Sequence, residues 1–233
     1  MDNFSFLAEL ITSPTTALAK LRERPRVLFP LLSCLLLTAG VIFWYYSTVD
    51  VEWLKHELFD AAPQFQKLSE EQRTQALKVV SRNSMLWGGM AAATVSVTVL
   101  FALQAVYQLF AGKITGIGRT FKQWFALTCW TALPTALLSS IITALMILIS
   151  HDASQLSPGE LRPLSLNELF FHLSIGQPGQ SLLASFDFIS LWALALGVIG
   201  VQVWSKRSWL FSVIFTLLPT VVVYGVWSLL AFR

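Results

Sequence analysis

Five apolar runs, at residues 29–49, 85–110, 125–150, 182–204 and 209–230, constrain this chain more than any other feature of its sequence. A helix rises 1.5 Å per residue, so roughly 20 residues cross a hydrocarbon layer about 30 Å thick. Each run meets that length. In lipid, only helices and closed barrels satisfy the backbone, and unbroken runs without two-residue alternation exclude barrel strands. Composition agrees: 55% of the residues are apolar and 12% charged, against about 25% charged in soluble domains. The expected fold is therefore all-α, a polytopic bundle of five transmembrane helices with short amphipathic helices outside the membrane.

Lysine and arginine set the expected orientation, because they concentrate on the cytoplasmic side of short loops. Lys20, Arg22, Arg24 and Arg26 precede the first span, Lys113, Arg119 and Lys122 join the second to the third, and Lys206 and Arg207 join the fourth to the fifth. The acid-rich segments, with Asp50, Glu52, Glu57, Asp60, Glu70, Glu71, Asp152, Glu160 and Glu168, fall on the other side. This predicts a cytoplasmic amphipathic segment at 1–28, a membrane domain at 29–233, external loops at 50–84 and 150–181, and Arg233 outside. Trp44, Tyr45, Tyr46, Tyr224 and Trp227 would mark the outer interface, and Trp124, Trp204 and Trp209 the inner one. The first 28 residues lack a compact apolar core followed by a small-residue cleavage site, so the first span is expected to stay in the mature protein.

Outside the spans, Ser13 and Pro14 read as the cap and first turn of a helix that Pro25 ends. Phe4, Leu7, Leu10 and Ile11 form a stripe suited to the inner membrane surface. Ser69 with Gln72, and Ser165 with Glu168, have capping-box spacing ahead of Ala76, Leu77 and Val80 in one loop and Leu169, Phe170 and Leu173 in the other. A small helical cap outside the membrane is expected.

Motifs of catalysis are missing from the sequence: there is no P-loop, nucleophile elbow, HExxH or CxxC. Glu168 and His172 stand four apart and would supply two metal ligands at most, so no metal or other cofactor is expected. Cys34 and Cys129 lie within apolar runs as small hydrophobes. A net charge of +3 without a basic, aromatic-interleaved patch gives no nucleic-acid reading. Asp187 is the acid nearest the hydrocarbon. It would either cap the fourth helix or bind a proton or cation, as ionisable residues in spans do. Pro134 and Pro219 each follow an interfacial tryptophan by ten residues, so both are expected near the midplane as helix kinks, serving either packing or a cavity. Ala193 with Gly197, and Gly89 with Ala93, have the spacing of close helix contacts.

Three groups of residues resemble the Yip1 family of five-span membrane proteins, in its bacterial branch. They are Ser13, Pro14, Arg24 and Pro25 before the first span; Gly116, Gly118, Thr120, Phe121, Lys122 and Gln123 followed by Pro134; and Asp187, Phe188, Trp192, Leu196, Ile199 and Gly200. Partner binding or helix packing is expected at Asp187, Trp192 and Gly200 of the last group and at Gly197, from its spacing with Ala193. Eukaryotic members are associated with Rab GTPases through a cytoplasmic segment with an aspartate-leucine-tyrosine-glycine-proline stretch, which has no counterpart here, so that role is not carried over. Bacterial members include membrane companions of ABC exporters with periplasmic adaptors. The implied function is a non-enzymatic accessory or scaffold subunit of the bacterial inner membrane, partnered by lipid and by a larger multi-span protein such as an ABC exporter. The alternative is a small transporter or channel-like protein using Asp187 and the kinks at Pro134 and Pro219. The oligomeric state is not readable from the sequence.

Overall fold

Apolar side chains at every turn leave a helix as the only way to pair the backbone in lipid, and helix dominates the computed structural model of this protein. Residues 2–61, 65 and 67–231 are described. The elements in chain order are α1 (Asn3–Thr12), α2 (Pro14–Glu23), α3 (Leu28–Thr48), α4 (Val51–Ala61), α5 (Glu70–Val79), α6 (Arg82–Ile114), α7 (Phe121–Ile149), α8 (Gln180–Ser185), α9 (Ser190–Ser205) and α10 (Trp209–Ala231). A 3₁₀ turn at Ala153–Gln155 and a π-helical turn at Asn167–Phe171 lie between α7 and α8. Among the described residues four helices, α3, α6, α7 and α10, are long and apolar enough to cross a membrane. The apolar α9 is shorter. The fold is the expected all-α membrane bundle with short helices outside the spans.

The fourth run departs from expectation. Instead of one helix over 182–204, α8 ends at Ser185, Phe186 is extended, and α9 begins at Ser190. The backbone between them is paired elsewhere: Leu166 N–H donates to the Phe186 carbonyl at 2.9 Å and Phe188 N–H to the Leu164 carbonyl at 3.1 Å. These bonds flank an antiparallel bridge between Ser165 and Asp187. At 16 residues, α9 is about 24 Å long. By the same arithmetic the 33 residues of α6 extend about 50 Å, well past the expected 85–110.

The chain divides into two compact units. The first comprises Met1–Leu37, Val95–Leu138 and Ile189–Gly225. Its core holds Phe6, Leu10, Ala17, Leu18 and Leu21 of α1 and α2 against Trp124, Leu127 and Trp130 of α7 and Leu196, Val201 and Trp204 of α9. Two expectations are corrected here. The buried residues of α1 are Phe6 and Leu10, with Leu7 packed on the same core, while Phe4 and Ile11 are exposed, so part of the expected stripe docks on protein. Trp124 and Trp204 are fully buried core residues; of the three expected inner-interface tryptophans only Trp209 is exposed. Side-chain donors then fix the N-terminal segment. Trp204 Nε1 donates to the Leu18 carbonyl at 2.8 Å, Gln123 Nε2 to Arg22 at 2.8 Å, and Trp130 Nε1 to Arg26 at 2.9 Å.

In the same unit, two arginines cap helix ends on each other's loops. Arg119, after α6, donates to the Trp204 carbonyl in the last turn of α9 at 3.1 Å. Arg207, after α9, donates to the Thr115 carbonyl just past α6. Cations at helix C-termini meet the negative end of the dipole as well as an orphan carbonyl.

The second unit comprises Thr38–Thr94, Ser139–Phe188 and Val226–Arg233. Tyr45, Val49, Val51, Leu54, Ile147 and Leu156 form its core. The Tyr45 hydroxyl donates to the Leu156 carbonyl at 2.9 Å. The expected capping box of Ser69 and Gln72 is present in full at the start of α5. At Ser165 only one half forms, the Glu168 N–H bonding Ser165 Oγ at 3.3 Å, and a π-helical turn follows where an amphipathic helix was expected. The sequence reading also missed α4, whose first turn is capped by Asp50 Oδ1 accepting from Glu52 N–H at 2.9 Å. Arg233 lies outside the described residues.

Candidate functional site

The residues singled out from sequence fall into both units, Asp187 in the second and Trp192, Gly197, Gly200, Pro134 and Pro219 in the first. Asp187 is buried within its bridge to Ser165. Its Oδ2 lies 3.8 Å from Arg162 Nε, a loop side chain about half exposed. Sequence reasoning did not propose this cation. Arg82, at the start of α6, instead closes the end of α3, donating to the carbonyls of Tyr46 at 2.7 Å, Ser47 at 3.2 Å and Val49 at 3.0 Å. Arg162 lies 25 positions from Asp187, far beyond any helical spacing, so only the strand-like bridge brings them together.

The ion pair is long and open to solvent on the arginine side, which limits it to roughly 0–1 kcal/mol. Replacing Asp187 by asparagine, which keeps the shape and the hydrogen-bonding oxygen, is therefore expected to cost less than about 1 kcal/mol. Alanine, which leaves its partners unmatched, should cost about 1–3 kcal/mol. Denaturation midpoints of the two variants check this ordering, and equal losses would mean that the charge itself is the stabilising element.

Trp192 packs at the edge of the first unit's core. Gly197 and Gly200 mark close approaches within the chain. A Cβ on Gly197 would lie 3.1 Å from Thr216 Cγ2 of α10, and one on Gly200 only 2.5 Å from Leu127 Cδ1 of α7. The small-residue face of α9 is thus occupied by native helices. Gly89 makes a similar contact in the second unit, its Cβ position 3.3 Å from the Tyr46 ring.

Pro134 and Pro219 both sit inside unbroken helices. Proline has no N–H, so Pro219 leaves the Phe215 carbonyl, four residues back, without its helical donor. The Tyr107 hydroxyl supplies one at 2.8 Å. Tyr107 was not foreseen, and no local pattern encodes a pairing across 108 positions. Tyr107→Phe is expected to cost about 1–2 kcal/mol in the native background and clearly less beside Pro219→Ala, where the helix regains its own donor. A double-mutant cycle measured by thermal unfolding reads the difference; strict additivity would show that the two are not linked.

Among the described residues no three His, Cys, Asp or Glu side chains converge as metal ligands. Glu168 and His172 share a small recess with Glu57 and Gln180, and Glu168 Oε1 accepts from Asn167 Nδ2 at 3.1 Å.

The chain is similar to a membrane protein of Bacillus subtilis (strain 168), YknW, with 26% identity over 226 residues covering 94% of this chain and 87% of that protein. No solved structure matches it. The Yip1 domain model matches residues 8–230, which take in the end of α1, all of α2 and all the apolar runs. This membrane protein belongs to the Yip1 family.

Proposed function

We propose that the protein is a non-enzymatic accessory subunit of the bacterial inner membrane, with its N-terminus cytoplasmic and its C-terminus external. It associates there with a larger multi-span protein of the ABC-exporter class. One observation carries this reading: α6 presents Trp87, Val95, Val99, Leu100, Leu103 and Phe110 outward along its length, and few of its residues are buried in the chain itself. Gly88 on the same helix likewise has open space where a Cβ would project, which suits close approach of a foreign helix. The loops at 115–120 and 206–208 are too short to hold a nucleotide-binding domain, so an energy-driven process would need a partner to power it.

Gentle detergent extraction and affinity purification from native membranes, at native abundance, are expected to recover the chain with a larger multi-span protein, crosslinked through α6 or the external helices. Recovery as a lone species with transport activity after reconstitution would replace this reading with the transporter.

A further inference from the structure

We infer that the first unit holds one anionic phospholipid, its phosphate in the basic recess at the ends of α6 and α9 and an acyl chain in the apolar groove between α6 and α10. The recess has a volume of about 640 Å³, and Arg22, Arg119, Lys206 and Arg207 line it together with the turn at 116–118. That size falls within the roughly 300–1,000 Å³ of ligand pockets. No carboxylate lines it. The four ion pairs recorded among the described residues involve none of these cations.

Two of the four have positions fixed by the fold. Arg119 and Arg207 are held by the carbonyls they cap, yet Arg119 Nε is buried without a hydrogen-bond partner. Carbonyl dipoles offset only part of two full charges, so the recess keeps a strong preference for an anion. Basic pockets between membrane helices at the headgroup level select anionic lipids on this basis.

The groove decides between a lipid and a soluble phosphate. It has a volume of about 560 Å³ and is lined by Tyr107, Phe110, Ile114, Phe211, Ile214 and Leu218 with their neighbours, almost wholly apolar. Arg207 joins the two compartments: it lines the recess, its guanidinium lies 4.7 Å from the centre of the Phe211 ring, and it bonds the carbonyl of Thr115, which lines the groove. A charged compartment sharing a wall with an apolar one matches a molecule with a phosphate head and a hydrocarbon tail. Inorganic phosphate or a sugar phosphate would leave the groove empty.

The test uses the full chain, purified and delipidated in a zwitterionic detergent, with binding read by native mass spectrometry and thermal stabilisation. Dioleoyl phosphatidylglycerol should bind roughly 10–30-fold more tightly than dioleoyl phosphatidylcholine, and glycerol 3-phosphate far more weakly than either lipid. The double variant R22Q/K206N removes two charges whose side chains form no recorded hydrogen bond, and asparagine tolerates the left-handed backbone at Lys206 (φ 55°). It should cut the preference for phosphatidylglycerol over phosphatidylcholine to about 3-fold, the part that Arg119 and Arg207 hold. I214W, which fills the groove, should weaken both lipids. Equal binding of the two lipids by the unaltered protein would overturn the proposal. So would an unchanged preference in R22Q/K206N, and glycerol 3-phosphate binding as tightly as phosphatidylglycerol would replace the lipid by a soluble phosphate.

Discussion

Leu18→Asp is expected to release α1 and α2 from the first unit. Leu18 is fully buried, and the carbonyl of the same residue accepts the Trp204 indole N–H at 2.8 Å. A carboxylate there would be surrounded by Leu10, Leu21, Trp130 and Trp204 of one apolar cluster. An uncompensated buried charge costs about 3–5 kcal/mol, enough to overcome the attachment of two 10-residue helices. The matched control is Thr15→Asp, which adds the same charge to an exposed position in the first turn of α2, where an acid meets the favourable end of the dipole. Limited trypsin digestion in detergent, reading cleavage after Lys20 and Arg22, separates the two. Fast cleavage should appear only in the Leu18 variant, and equal protection in both would show that the N-terminal helices are not anchored through this face.

The N-terminal segment also marks where sequence reading stops. Amphipathic spacing predicted helices around Pro14 correctly, because caps and prolines act within one turn. It assigned α1 to a lipid surface through Phe4, Leu7, Leu10 and Ile11, whereas the protein core takes Leu7 and Leu10 from that stripe, adds Phe6 and leaves Phe4 and Ile11 exposed. A stripe facing lipid headgroups and one facing a protein core use the same residue types, so periodicity alone cannot separate them. The tryptophans illustrate the same ambiguity. Trp124 and Trp204 sit at span ends in either case, but the core keeps both from solvent, and Trp204 donates to Leu18 across 186 positions.

The spans themselves were the most legible part. The first and fifth runs, 29–49 and 209–230, correspond to helices Leu28–Thr48 and Trp209–Ala231, since about 20 apolar residues in lipid have one backbone solution. The fourth was not, because residues 186–188 spend their backbone groups on 164–166. That pairing is long-range, and nothing in the hydropathy of 182–204 announces it. Arg162, Tyr107 and the reciprocal arginine caps were hidden for the same reason. Each acts on a partner distant in sequence, where the local residue pattern carries no information.

Gly200 offers the clearest separation between a glycine that the fold requires and one that it tolerates. A Cβ at Gly200 would stand 2.5 Å from Leu127 Cδ1, 3.2 Å from Cδ2 and 3.4 Å from Cγ. Leu127 has no room to withdraw, being fully buried in one cluster with the equally buried Trp124, Trp130 and Trp204. Overpacking of this kind costs about 1–3 kcal/mol for Gly200→Ala and more for Gly200→Val, whose extra methyls need further space. Gly40 and Gly225 are the contrast, with nothing within 4 Å of the added carbon; alanine at either should stabilise its helix by about 0.5–1 kcal/mol. Leu127→Ala alone should cost about 2–5 kcal/mol through the cavity it leaves. Combined with Gly200→Val it should cost less than the sum, because the new side chain enters that cavity. Thermal unfolding of the purified variants measures each of these effects. The decisive number is the coupling between positions 127 and 200. Full additivity, or a Gly200→Val variant as stable as the parent, would mean that α7 does not close on α9 at this glycine.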